Sequence, residues 1–378
     1  MPIPSWPRRP EQLLLVVITT LAAACSQPQD DAADVGGVRF AFASDSGLFG
    51  KDDDRSGGVA IADLGGRGIN DVFVVNGRHW EEDNLLLRND GSGVVFQQET
   101  VGLTANTGYR ACPGDVDNDD DIDVVVARDG PPPAIYVNSG DGRLDEVSDV
   151  GRPTASRDCV VRDLNNDGYL DAVFSERGGQ SYALLGPLLE SPRRVDLFEG
   201  PAVSVGAGDV DGDGLADIAF SLRGSGSVAL LLQSADGAFT TTTLYGSADE
   251  ESRAVAVHDL DGDGRAEVIL AGLTAPSHVL GFTGNALVSK HEFKNLASAS
   301  AVTVADLNVD GQDDIVFGVR GRNVVAVAKG DGYILTTLPG LDATTYAVAA
   351  GDLNGDGVPD LVFANSGDKN EIVLSHVE

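Results

Sequence analysis

Positive charge is scarce in this chain of 378 residues: 26 lysines and arginines stand against 59 aspartates and glutamates, a formal net charge of −33. An acidic surface repels phosphate backbones, which excludes general nucleic-acid binding. Aromatic residues make up only 6%, and Trp80 is the one tryptophan beyond the N-terminal segment, so flat platforms for stacking neutral sugars are few. The five histidines, His79, His258, His278, His291 and His376, form no pair at metal-binding spacing. No G-x-S-x-G elbow, phosphate loop or Cys/His nucleophile pattern occurs either. Carboxylates abound, so an acid/base pair stays open.

Aspartate and glycine are plentiful, and they are ordered. In "DVDGDGLADI" the residues Asp209, Asp211, Asp213 and Asp217 occupy positions 1, 3, 5 and 9 of a tight loop, with Gly214 at position 6. Hard oxygen ligands at those places are the first part of a calcium loop. An EF-hand would need Glu at position 12 and flanking helices; here position 12 is Phe220 and the run Ile218 to Phe220 is apolar, so strands are the expected flanks. The loop recurs from Asp63, Asp115, Asp163, Asp209, Asp259, Asp306 and Asp352, at steps of 52, 48, 46, 50, 47 and 46 residues. Turn chemistry alone does not call for carboxylates at alternate places in copy after copy.

A period of this size with several short strands per unit is the pattern of a propeller blade. In the second copy the strands are expected at Thr107 to Gly114, Ile122 to Ala127, Ala134 to Asn138 and Arg143 to Ser148. The last copy supplies only three, at Thr345 to Ala350, Val358 to Ala364 and Glu371 to Val377, while "VRFAFASDSGL" from Val38 is an orphan resembling a fourth strand. The expected fold is therefore all-β, a seven-bladed β-propeller of four-stranded blades over residues 38–378, with the N-terminal strand completing the last blade and leaving no open edge.

The D-x-[DN]-x-D-G-x-x-D loop between apolar strands resembles the FG-GAP/VCBS repeats of integrin alpha-subunit propellers and many bacterial surface proteins, over nearly the whole chain beyond Val38. The resemblance implies Ca2+ at each matching position. In loop two these are Asp115, Asp117, Asp119 and Asp123; in loop three, Asp163, Asn165, Asp167 and Asp171; in loop four, Asp209, Asp211, Asp213 and Asp217. Loop five offers Asp259, Asp261, Asp263 and Glu267, loop six Asp306, Asn308, Asp310 and Asp314, and loop seven Asp352, Asn354, Asp356 and Asp360. Loop one departs from the pattern: Gly65 and Arg67 replace two carboxylates, and no ion is expected there. In loop two Asp120 takes the place of the glycine, at a left-handed position that Asp tolerates. About six Ca2+ ions with a structural role are expected, each adding stability by binding the folded state alone.

The N-terminus reads as an export signal. Arg8 and Arg9 precede an apolar stretch from Leu13 to Ala24, too short to span a membrane as a mature helix, followed by Cys25. LAAAC resembles a bacterial lipobox, so residues 1–24 are read as a signal peptide and 25–37 as a tether. Lipidation at Cys25 would give an envelope protein of the outer-membrane lipoprotein type, held to the membrane only by that anchor; without it the chain is secreted or periplasmic. Cys112 and Cys159 lie three and four residues ahead of Asp115 and Asp163. An exported chain permits a disulfide, but the one-residue offset could turn the two thiols to opposite faces, which leaves buried free thiols equally open.

Among the few cations, Arg177, Arg223 and Arg320 fall 14 residues after their first loop aspartate, with Arg128 at 13 and Arg78 at 15; Arg110, Arg157 and Arg253 fall five or six before it. In a propeller these positions share the face opposite the calcium loops. There they either pair internally with neighbours such as Asp129, Asp158 and Glu176, or receive an anionic glycan or a carboxylate-bearing protein. His79 and Trp80 either form a rim contact or cover a blade edge. The functional expectation is surface binding or adhesion; the alternatives are a propeller polysaccharide lyase or related enzyme, and a scaffold within an envelope complex.

Overall fold

A computed structural model describes residues 32–42, 47–147, 150–224, 227–247, 249–296 and 298–377. The signal peptide and the Cys25 expectation lie outside them. Among the described residues the regular structure is all strand, in antiparallel meanders.

The second copy shows how sequence becomes blade. Gly108–Gly114, Asp123–Arg128, Ala134–Asn138 and Leu144–Val147 pair in order. The second strand is a Val-rich run buried at every position, because it lies mid-sheet and is covered on both faces. The fourth strand alternates half-buried and exposed, as an outer strand with one wet face does. Among the described residues seven hydrophobic clusters fill the spaces between neighbouring sheets; one joins Phe73, Val75 and Leu86 to Val124, Val126 and Tyr136.

Innermost strands pack side by side around an axis. Gly58–Ala62 lies on Gly108–Gly114, which lies on Ser156–Arg162. The series continues through Arg193–Gly208, Ser252–His258, Ala299–Ala305 and Ala343–Gly351, and returns to Gly58–Ala62. The ends of the chain are joined by pairing: Val38–Phe42 runs antiparallel to Asn370–Val377, with Val38 opposite Val377 and Phe42 opposite Val373. Leu48–Phe49 continues the same edge. One element differs from expectation. Ala32–Val35, inside the stretch read as a tether, is a strand that folds back on Val38–Phe42 through Gly36 and Gly37.

Cys112 and Cys159 form a disulfide, with Cα atoms 6.1 Å apart. The one-residue offset is what permits it. Facing sheets of adjacent blades present opposite faces to each other, so side chains of opposite parity meet in the shared core, here among Val125, Ile135 and Phe174. Replacing both cysteines by alanine should cost roughly 2–4 kcal/mol, read as a lower denaturation midpoint. An unchanged midpoint would show that the bond adds nothing to the packed interface.

Candidate functional site

Each acidic loop is organised by two of its carboxylates. Asp209 at position 1 accepts backbone N–H bonds from Gly212, Asp213 and Gly214 at 2.7, 3.1 and 2.8 Å, and Gly214 takes the required left-handed conformation at φ 86°. In loop two Asp120 adopts φ 71° at that place, as its short polar side chain allows. Asp217 at position 9 is fully buried; its Oδ2 accepts from Val210 N at 2.9 Å and its Oδ1 from Gln233 N at 2.9 Å. Position 9 thus ties the loop to the third strand of its blade, a role that spacing does not reveal. Asp123, Asp171, Asp314 and Asp360 repeat it.

Two backbone donors favour ionisation, yet burial outweighs them: Asp123, Asp217, Asp314 and Asp360 are pushed up to about 6. Loop two carries a further signature. Oxygens of Asp115, Asp117 and Asp123 lie within 4.8 Å of one another, as do those of Asp209, Asp211 and Asp217 in loop four. Asp117 Oδ1 is buried without a hydrogen-bond partner, and burial, then Asp119 and Asp115, raise its pKa. Unneutralised, converging carboxylates with an orphaned oxygen fit a hard cation. Loops three, six and seven carry asparagine at position 3; in two of them its amide donates to the position-5 carboxylate, Asn165 to Asp167 and Asn308 to Asp310, each at 3.0 Å.

Among the described residues two loops hold a side-chain cation against their position-9 carboxylate. Arg67 in loop one contacts Asp71 at 2.8 Å, as its sequence implies. In loop five Lys290, from the outer strand Ala286–Phe293, sets its ammonium 2.6 Å from Glu267 and 3.1 Å from Asp261. Glutamate is one methylene longer than the aspartates elsewhere, so its second oxygen meets this lysine instead of the third-strand amide. Gly281 leaves the room, since a Cβ there would come within 2.7 Å of Lys290 Cε. Asp259, Asp261 and Asp263 still converge, but the buried position-9 ligand is already engaged.

At the opposite end of the inner strands opens a cavity of about 480 Å³ lined by Arg78, Arg110, Arg157, Arg177, Arg223, Arg253 and Arg320, with Asp158 the one acidic residue in its wall among the described residues. One residue per repeat, six before the first loop aspartate, forms its inner ring: Gly57, Tyr109, Arg157, Val203, Arg253, Ser300 and Tyr346. Reading down that column would have found Tyr109 and Tyr346, which the arginine pattern missed. Arg110 pairs with Asp158 at 2.7 Å, Arg157 with Asp129 at 2.9 Å and Arg223 with Glu251 at 3.4 Å. Glu176, also expected as a partner, bonds instead to Ala155 N and Ser156 Oγ. Arg78, Arg177, Arg253 and Arg320 have no carboxylate partner among the described residues.

Arg128 must be removed from the face. One residue out of step on its strand, it turns inward, buried, bonding Glu146 at 3.2 Å and Pro132 O at 2.6 Å. His79 lines the cavity while Trp80 is 56% exposed with Arg55 over its ring at 4.4 Å. The Tyr109 hydroxyl lies 2.9 and 3.2 Å from the two ring nitrogens of His79, which also meets Asp129 at 2.9 Å. A hydroxyl shared between both nitrogens is aligned on neither lone pair, so the trio makes a polar wall and not a directed proton relay.

The FG-GAP-like repeat profile matches residues 115–174, 209–270 and 306–363, three stretches that each begin at a first loop aspartate. This is an FG-GAP repeat β-propeller. The FG-GAP chain is similar in structure to BBS1N as solved in complex with ARL6DN, with TM-scores of 0.60 and 0.62 in two crystals at 14% identity; the first match covers 84% of this chain and 91% of that one. It is also similar to the extracellular domain of the putative one-component system BT4673 from B. thetaiotaomicron, with a TM-score of 0.55 at 10% identity over 90% of this chain, which spans 39% of that larger one. Identities this low show the fold alone. No curated protein matches the FG-GAP chain.

Proposed function

We propose that this FG-GAP chain is an exported, calcium-stabilised propeller of seven blades that binds an anionic partner, an acidic glycan or a carboxylate-bearing protein, in its arginine-lined mouth. The observation that carries the reading is the concentration of seven arginines around one cavity of a chain with net charge −33, four of them lacking a carboxylate partner among the described residues. Arginine forks match carboxylate and sulfate oxygens bidentately, and the acidic body around the mouth discourages binding elsewhere. The blade count rests on the seven loops, each joining an inner strand to the next strand outward. Calcium is assigned to loops two, three, four, six and seven, with Lys290 standing in for it in loop five. Export is supported by the N-terminal segment and agrees with the disulfide; an anchor at Cys25 would place the protein in the envelope.

Replacing Arg177, Arg223 and Arg320 together by glutamine tests the mouth. Capture of the protein by immobilised polygalacturonate or by an acidic peptide should fall at least about a hundredfold, since each charged hydrogen-bonding group lost is worth about 1.5–3 kcal/mol. The melting temperature should stay unchanged, because two of the three have no carboxylate to abandon. Undiminished capture would sink the reading.

A further inference from the structure

Arg78 combines four features that packing alone does not require. Its backbone lies in the left-handed region, at φ 48°, a strained conformation for an L-residue that persists only where the surroundings impose it. They do: Arg78 N donates to Gly108 O at 3.0 Å and Gly77 N to Arg55 O at 3.1 Å. Its Nε is buried without a hydrogen-bond partner. Space for its stem exists because residue 57 is glycine, where a Cβ would come within 3.0 Å of Arg78 Cγ. And the guanidinium is held in the cavity, 3.7 Å from the centre of the Tyr346 ring, with Nη1 donating to Ser366 Oγ at 2.9 Å.

A second guanidinium shares that ring. Arg253 lies 5.3 Å from the Tyr346 centroid. Burial pulls its pKa below the usual arginine value, and the like charges of Arg78 and Arg223 act in the same direction. Two half-buried guanidinia that share one ring, neither with a carboxylate partner among the described residues, repel each other until an anion joins them. With Arg78 against Tyr346 and Arg157 4.3 Å over Tyr109, both tyrosine faces carry guanidinia. Sugar stacking on those faces is blocked, and hydrogen-bonding forks and hydroxyls are what remains for a ligand.

We infer that Arg78 and Arg253 form an oxyanion subsite within the mouth, built for a compact group with oxygens enough to face two guanidinia, a sulfate or paired carboxylates, at the tip of the bound partner. The inference rests on the anion-binding reading above and names the part of the ligand recognised first. Sulfate and carboxylate share the required chemistry of several oxygens facing planar donors. Neutral sugars and a single carboxylate, with only two oxygens, do not satisfy both guanidinia.

The test is calorimetric titration of the calcium-loaded protein at low ionic strength with sulfate, succinate and acetate, beside the variants Arg78→Gly and Arg253→Met. Sulfate or succinate should bind and acetate should not, and which dianion binds identifies the source of the charge. Each variant should weaken that binding about tenfold or more. Arg78→Gly should melt at the same temperature or higher, because glycine relieves the left-handed strain. A structural arginine would behave in the opposite way, with a lower melting temperature and unchanged binding, and that result overturns the inference. If immobilised polyanions are captured but neither dianion binds, the subsite is wrong while the broader mouth stands. If nothing anionic binds, both fall.

Discussion

Stripped of divalent cations at pH 7.5, the chain should melt on the order of 20 °C below its calcium-loaded form. A site loaded at a hundred times its dissociation constant adds about 2.7 kcal/mol; several such sites rival the whole stability of an ordinary domain, about 5–15 kcal/mol. The competing view is that the loops are self-sufficient turns, and it has support: Asp209 alone accepts three backbone bonds and Asp217 two. Those bonds fix the shape but leave the charge. Asp123, Asp217, Asp314 and Asp360 remain pushed up to about 6 by burial.

That shift has a definite sign. A carboxylic acid whose folded pKa lies above its unfolded value stabilises the fold below the unfolded value, near 4, and loses that contribution as pH rises through about 6. The metal-free protein should therefore be more stable at pH 5 than at pH 7.5. Calcium, which needs the ionised ligands, should stabilise far more at pH 7.5. Differential scanning calorimetry at both pH values checks the crossing. Titration should count five ions in the native chain and a sixth in Lys290→Ala, which frees Glu267 and Asp261. One or two ions with little stabilisation would mean that most loops are acidic turns only.

Much of this was legible because the chain repeats. Loop spacing carried the propeller, the strand positions of the second copy within a residue or two, and the strand from Val38 that closes the ring. Single-copy features hid what depends on two elements meeting. Lys290 sits in an unremarkable outer strand, and only the fold brings it to Glu267. Arg128 matched the column of arginines to within one residue, but on a strand one residue reverses the face. Cys112 and Cys159 failed a parity rule valid within one sheet; across two blades the rule inverts. Ala32–Val35 was missed because the segment is polar and lies outside the repeat.

Removing the N-terminal strands should cost more than any point substitution. Val38–Phe42 supplies the fourth strand of the last sheet and buries Val38 and Phe40 among Val373, Leu361 and Phe363. Without it, Asn370–Val377 presents an unpaired edge, and the last sheet loses both its ladder and its outer apolar cover. Pairing in this one sheet is what joins the two ends of the ring, beside the packing of Ala343–Gly351 on Gly58–Ala62. A chain starting at Gly47 should therefore lose its cooperative melt or associate through the bared edge, whereas Phe40→Ala should cost about 3–5 kcal/mol and keep the ring closed. Adding a peptide of residues 32–46 should restore the melt to the shortened chain, since pairing is all the covalent link provides. Calorimetry and sedimentation read both outcomes; a shortened chain that stays monomeric and melts like the intact one would mean that packing between inner strands holds the ring without the strand that joins its ends.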